Sequence, residues 1–279
     1  MVVETDHPSE MTHAWLIIAH NEFGILQRLV SALDAPRCDI YVHIDKKVKG
    51  LPELHTEKSR LFTLTDRVDV RWGTVSQIQS EFALFEAASA KGPYDFYHII
   101  SGTTLPLKHW PEIQSFFVRN AGHCILSGLC QSGSYQETLK LRRHNLFLRN
   151  YASPRLLPRK TSQFLWRSAL LVQRILGIET NRGKVFYKAS NWLSLTEEAV
   201  QLLVSRKKEI LHAYRHTFCG DEYFVPSELM ASPLKDILVS DDHYLLHNIA
   251  RSNAGVLRFA DYDGLCKTGY LFARKFTER

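Results

Sequence analysis

Asp221-Glu222, within HTFCGDEYFVPSELM, is a place where this chain could move a proton. Gly220 and Asp221 predict a helix start, with Asp221 as N-cap and Glu222 in the first turn. A carboxylate held at a helix end and facing a cleft can act as a general base. The plainer reading is that both acids complement the helix dipole. Arg274-Lys275, in LFARKF near the end of the chain, is a second candidate. In an extended segment the two side chains point to opposite faces, so one can enter a cleft while the other pairs with a neighbour. The third candidate is the segment YDFYHIISGTTLPL. It reads as a strand that breaks into Ser101-Gly102-Thr103-Thr104, and an open α/β sheet binds its ligand at such a turn. No carboxylate stands there to hold a metal. Asp45 ends a preceding apolar run, where such a sheet holds a ribose or base edge.

Other patterns carry less. Asp261-Tyr262-Asp263 is a literal D-x-D, but it follows the last expected sheet strand and reads as structural. The thirteen histidines have no metal-ligand spacing. P-loop, dinucleotide and nucleophile-elbow signatures are absent. The five cysteines, Cys38, Cys124, Cys130, Cys219 and Cys266, form no ligand pair and are odd in number, so reduced thiols are expected.

The elements that must position these residues follow from apolar periodicity. HAWLIIA and DIYVHI read as buried strands, and Ile25, Leu26, Leu29, Val30 and Leu33 have helical spacing between them. Strand, helix, strand predicts a parallel sheet. A turn at 70–73 leads into a helix over about 75–90, and Gly92-Pro93 ends it before the Ser101 strand. Regular α/β signals return at 189–195, a strand is expected at 256–259, and the chain closes on 270–276. The organisation expected is a leader at 1–12 and one domain at 13–279. That domain divides into a nucleotide-binding α/β half at 13–127, a basic helical excursion at 128–188 and a catalytic half at 189–279.

Net charge is +6, and it is unevenly placed. No acid lies between Glu137 and Glu179, while Arg142, Arg143, Arg149, Arg155, Arg159, Lys160, Arg167 and Arg174 all do. Such a block attracts an anionic partner: a nucleotide, a nucleic acid, an acidic glycan or a membrane face. Arg142 and Arg143 are assigned to the acceptor. The stretch QFLWRSALLVQRIL reads as a cationic amphipathic helix, packed on the core or lying on a membrane. No apolar run is long enough for a bilayer span, and the first residues do not read as a signal peptide.

Six strings in order resemble the family 14 glycosyltransferases. These comprise the core-2/I-branching β-1,6-N-acetylglucosaminyltransferases and the peptide O-xylosyltransferases. The strings are LIIAHNEFGILQRLVSALDAPRCDIYVHIDKK, RWGTVSQIQSEFALFEAA, YDFYHIISGTTLPLKHWPEIQSFF, KASNWLSLTEEAV, TFCGDEYFV and LFARKF. The resemblance implies a GT-A-like α/β fold and an inverting enzyme that uses a UDP-sugar with no metal or other cofactor. It puts the catalytic glutamate at Glu222 and the diphosphate-binding pair at Arg274-Lys275. Donor contacts fall on Ala19, Asp45, Val70, Arg71, Trp72, Ser101, Asn191 and Trp192. In one respect the chain departs from the family. A longer loop that touches the diphosphate is replaced here by DYDGLCKTGY, where Lys267 and Thr268 are the available substitutes.

The resulting expectation is transfer of N-acetylglucosamine to a glycan or lipid-linked glycan, with xylose as the alternative donor sugar. A non-catalytic nucleotide- or glycan-binding protein is the rival, and nucleic acid is not expected as a partner. Without an anchor, the expected location is the cytoplasm, at the inner face of a bacterial-type plasma membrane, with a role in surface polysaccharide synthesis.

Overall fold

The structure is a computed structural model and describes residues 11–247, 249–250 and 253–278. Residues 1–10 of the expected leader lie outside the described residues. The chain opens with β1 (His13–Ala19), α1 (Phe23–Leu33), β2 (Cys38–Ile44) and β3 (Arg60–Thr63), all three strands parallel. The runs that form β1 and β2 are apolar almost throughout because both strands lie inside the sheet with both faces covered. Helix α1 buries Ile25, Leu26, Leu29, Val30 and Leu33, the stripe its spacing predicts.

Next come α2 (Ser76–Ser89), β4 (Phe96–Ser101), β5 (Leu105–Pro106), α3 (Trp110–Arg119), β6 (Cys124–Leu126), β7 (Cys130–Gln131), α4 (Tyr135–Leu141) and α5 (Leu156–Ile175). Then follow β8 (Tyr187–Lys188), β9 (Leu193–Leu195), α6 (Glu197–Ser205), α7 (Lys207–Tyr214), α8 (Phe224–Met230) and β10 (Leu238–Ser240). The chain closes with β11 (Leu245–His247), β12 (Ile249–Ala250), β13 (Asn253–Ala254), α9 (Phe259–Cys266) and β14 (Phe272–Arg274). The fold is α/β. Its central sheet has the order β10-β6-β9-β4-β1-β2-β3 and is mostly parallel, with β9 antiparallel to both neighbours.

The topology fixes where a ligand can sit. From β1 the chain steps to β2 on one side and later returns through β4 on the other. This reversal opens a crevice at the carboxyl ends of β1, β2 and β4. The residues after those ends are His20, Asp45 and Gly102. Gly102 is required by packing, because a Cβ there would lie 2.8 Å from the Ala19 Cβ. A small second sheet, β11-β14-β5, is grafted onto the same edge. Ala273 pairs with Leu105, and the Phe276 amide donates to the Thr103 carbonyl at 2.9 Å. The end of the chain is thereby tied to the turn after β4.

The segment 128–188 leaves after β6 and returns to β9, and its two ends pair as β7 and β8. Its inner side packs Leu148, Tyr151 and Trp166 around Phe218 and Cys219. One sequence expectation fails locally. No strand spans 256–259: only Leu257 bridges to Phe276, and Phe259 begins α9. The Asp261 carboxylate accepts from the Arg258 amide at 2.9 Å, and this capping bond favours a helix start over an extended chain.

Candidate active site

The cationic end of the crevice is built on Arg274. Its Nε donates to Ser101 Oγ at 3.2 Å, and its guanidinium lies 4.6 Å from the centroid of the Trp192 ring. Ser101 Oγ is also within 3.1 Å of the Thr103 and Thr104 hydroxyls, so the turn after β4 is a hydroxyl cluster facing a cation. Burial lowers the Arg274 pKa to about 10, which still leaves it charged at neutral pH. His20, after β1, stands beside the same group. Its pKa is lowered first by the protein packed around it, then by Lys275, Lys47 and Arg274, with Asp45 opposing them. Thus Arg274, Lys275, His20 and Asp45 share one field at the strand ends.

A second group forms the outer wall. Asp45 is buried, and its amide donates to the Ala19 carbonyl at 3.0 Å. Lys47 Nζ sits 2.6 Å from Asp45 and 3.0 Å from Asp69, and also donates to the Val70 carbonyl. Arg71 grips Asp69 through Nε and Nη2 at 3.1 and 2.7 Å. Lys47 therefore stitches the end of β2 to the turn at 70–72. Trp72 is exposed at that turn, stacks on Tyr151 and meets Phe218 edge-on.

The acidic end lies on a single 3-10 turn, Gly220–Glu222. Cys219 before it has a left-handed backbone (φ 55), and its amide donates to the Gly73 carbonyl at 3.0 Å. The turn sends Asp221 inward and leaves Glu222 partly exposed. Glu222 Oε2 lies 3.2 Å from Lys188 Nζ. The expected N-cap role of Asp221 is not what the fold uses. Asp221 Oδ2 accepts from Gln77 Nε2 at 2.7 Å and from Asn191 Nδ2 at 3.2 Å, and the next helix begins only at Phe224. Two side-chain amides from distant segments displace a local cap, because a buried carboxyl needs donors the solvent cannot supply. Burial, then the Glu222 charge, raises the Asp221 pKa to about 7. Buried Glu81 on α2 is pushed well above the usual range, first by burial and then by Asp221.

The two ends are joined by one dipeptide. Asn191 reaches Asp221, and Trp192 carries Arg274 on its ring. Three buried polar atoms around the crevice have no hydrogen-bond partner among the described residues: Asn21 Oδ1, Trp192 Nε1 and Asp221 Oδ1. A preformed polar wall of this kind can orient a ligand.

Arg142 and Arg143 are not brought into this group by any hydrogen bond or ion pair. Arg142 donates to the carbonyls of Asn181 and Lys184 at 2.8 and 2.7 Å, and Arg143 lies 3.7 Å from Glu179. Asp261 caps α9, and Asp263 lies on the same helix. The Thr268 hydroxyl donates to the Leu265 carbonyl at 2.6 Å, while Lys267 is exposed at the end of α9. Sequence reasoning missed His20, Lys47, Gln77, Glu81 and Lys188 as site residues. His20 directly follows β1 and Lys47 lies three residues past the end of β2, which was a usable signal. Gln77, Glu81 and Lys188 had none, since their partners lie far away in the chain.

The family model described as Branch, core-2/I-branching enzyme, matches residues 13–251. The chain belongs to the core-2/I-branching enzyme family. It is a glycosyltransferase of that type. The match stops short of β14, so the meeting of Arg274 with Ser101 and Trp192 is a property of the tertiary structure alone. No curated relative matches the chain. Among solved structures, the apo form of mouse xyloside xylosyltransferase 1 matches at 8% identity and a TM-score of 0.41, covering 95% of this chain and 97% of that one. That likeness is too slight to bear on activity.

Proposed function

We propose that this core-2/I-branching family member is an inverting, metal-independent transferase. It moves N-acetylglucosamine from a UDP-sugar to a hydroxyl of a glycan or lipid-linked glycan and forms a β-linkage. The observation that carries the reading is the Asn191-Trp192 bridge, which joins a carboxylate turn to a half-buried cation across one crevice. In this reading Asp45, Ala19 and the turn at 70–72 hold the nucleoside, while Arg274, Lys275 and Ser101 hold the diphosphate.

The chemistry is a single displacement. The acceptor oxygen forms a bond to the anomeric carbon from the face opposite UDP. Glu222 takes the acceptor proton as that bond forms, because a neutral alcohol is a weak nucleophile. The bond from the anomeric carbon to the diphosphate oxygen breaks, and its electron pair leaves with UDP. Arg274 and Lys275 stabilise the developing charge as fixed electrostatics. The Lys188 ammonium, 3.2 Å from Glu222 Oε2, orients the base.

Glu222→Gln is expected to lower UDP release from UDP-N-acetylglucosamine on the order of a thousandfold, with UDP affinity unchanged. Near-normal turnover of that variant removes Glu222 from the role. Turnover is expected to survive excess EDTA, and a strict requirement for added Mn²⁺ refutes metal independence. Assaying UDP-xylose in parallel decides the donor sugar.

A further inference from the structure

Helix α5 is inverted relative to an ordinary packed helix. It buries Ser162, Leu170 and Gln173, yet leaves Leu157, Phe164, Leu171 and Ile175 exposed at 78%, 69%, 58% and 74%. Leu157, Phe164 and Leu171 recur every seven residues, so they form one outward stripe, and Ile175 extends it by a turn. Lys160, Arg167 and Arg174 repeat at the same spacing three residues on, so they line its flank. All three cations are exposed, and none pairs with an acid among the described residues. The helix cannot roll to hide the stripe. Its inner face is pinned by Gln173, which both donates to the His144 carbonyl at 2.9 Å and accepts from the His144 amide at 2.8 Å. Trp166 Nε1 adds a bond to Asn145 Oδ1 at 2.9 Å.

We propose that α5 docks this protein on an anionic membrane surface. The helix lies in the plane of the interface, with the apolar stripe at the boundary between headgroups and acyl chains and the three cations on acidic headgroups. Charge selects this occupant. A second copy would press cations against cations along the seam, and nucleic acid would leave the apolar stripe in water. The helix is not a span, since no helix among the described residues is long and apolar enough to cross a membrane. The docking does not depend on the transferase reading. It does set the geometry of the site: Trp166 on the inner face of α5 packs on Tyr151 and Phe218, and Tyr151 stacks on Trp72.

Sedimentation of the full chain with phosphatidylcholine vesicles, with and without phosphatidylglycerol, tests the proposal. Binding is expected only with the anionic lipid, and it should weaken at high salt. The triple variant Lys160→Glu, Arg167→Glu, Arg174→Glu is expected to lose on the order of a hundredfold in affinity. The double variant Phe164→Ser, Leu171→Ser is expected to lose on the order of tenfold or more. These side chains are exposed, so circular dichroism should be unchanged. Glu222→Gln should bind like the parent, which separates docking from catalysis. The proposal is overturned by no binding at low salt, by equal binding of both variants, or by concentration-dependent dimerisation that only the double variant abolishes while vesicles are ignored.

Discussion

Arg274 is a half-buried guanidinium whose contacts include a hydroxyl and an indole face. A cation held this way is pre-oriented for an arriving diphosphate. Arg274→Ala is expected to lower turnover on the order of a hundredfold and to weaken product inhibition by UDP. Initial rates at several UDP concentrations measure both. Arg274→Lys keeps the charge but loses the planar stacking on Trp192, so it should recover only part of the loss. Unchanged kinetics in the alanine variant would remove Arg274 from the diphosphate site. Glu222 is governed by its neighbour Lys188, and the two form an ion pair at the open end of the crevice.

The elements converge on a narrow contact between β1 and β4. The Gly102 amide donates to the Ile18 carbonyl at 2.8 Å, which presses the turn after β4 against the end of β1. Gly102→Ala adds a methyl group 2.8 Å from the Ala19 Cβ, so the turn must shift. Overpacking of this kind costs about 1–3 kcal/mol, and the shift also moves Ser101 away from Arg274. Both a lower denaturation midpoint and a fall in activity are expected, measured by urea unfolding and UDP release. A variant with normal stability and reduced activity would mean that only the turn moves. Gly73 plays a similar part at the other end, where its positive φ and missing Cβ admit the Phe218 ring.

Across the whole molecule, buried acids and histidines set how stability depends on pH. Asp221 titrates near 7 in the fold, well above an unfolded aspartate. Between these two values the native state holds a proton that the unfolded chain has released. Stability therefore falls as pH rises through that window, by up to roughly 1.4 kcal/mol per unit from this group. Glu81 acts in the same direction. His13, buried and lowered to about 4, acts oppositely: its contribution to stability rises with pH from there to its unfolded value. Asp221→Asn isolates the first effect. Urea unfolding at pH 5 and pH 8 should show the variant gaining on the parent at the higher pH, and a constant difference would mean that Asp221 is ionised throughout.

Much of this was legible in the chain. The buried strands β1, β2 and β4, the stripe on α1, and the placing of Asp45 and Ser101 at strand ends all follow from local pattern, because apolar periodicity and strand ends are written in adjacent residues. The exceptions are equally physical. Asp221 reads as a cap but is claimed by Gln77 and Asn191, and Phe259 reads as strand but starts a helix under Asp261. Lys188 against Glu222, Arg274 against Trp192, and the outward roll of α5 depend on contacts between residues far apart in the chain. Residue type and spacing determined which elements form and which side chains could do chemistry. Only the packed chain decided which of them meet, because burial and long-range hydrogen bonds are created by folding itself.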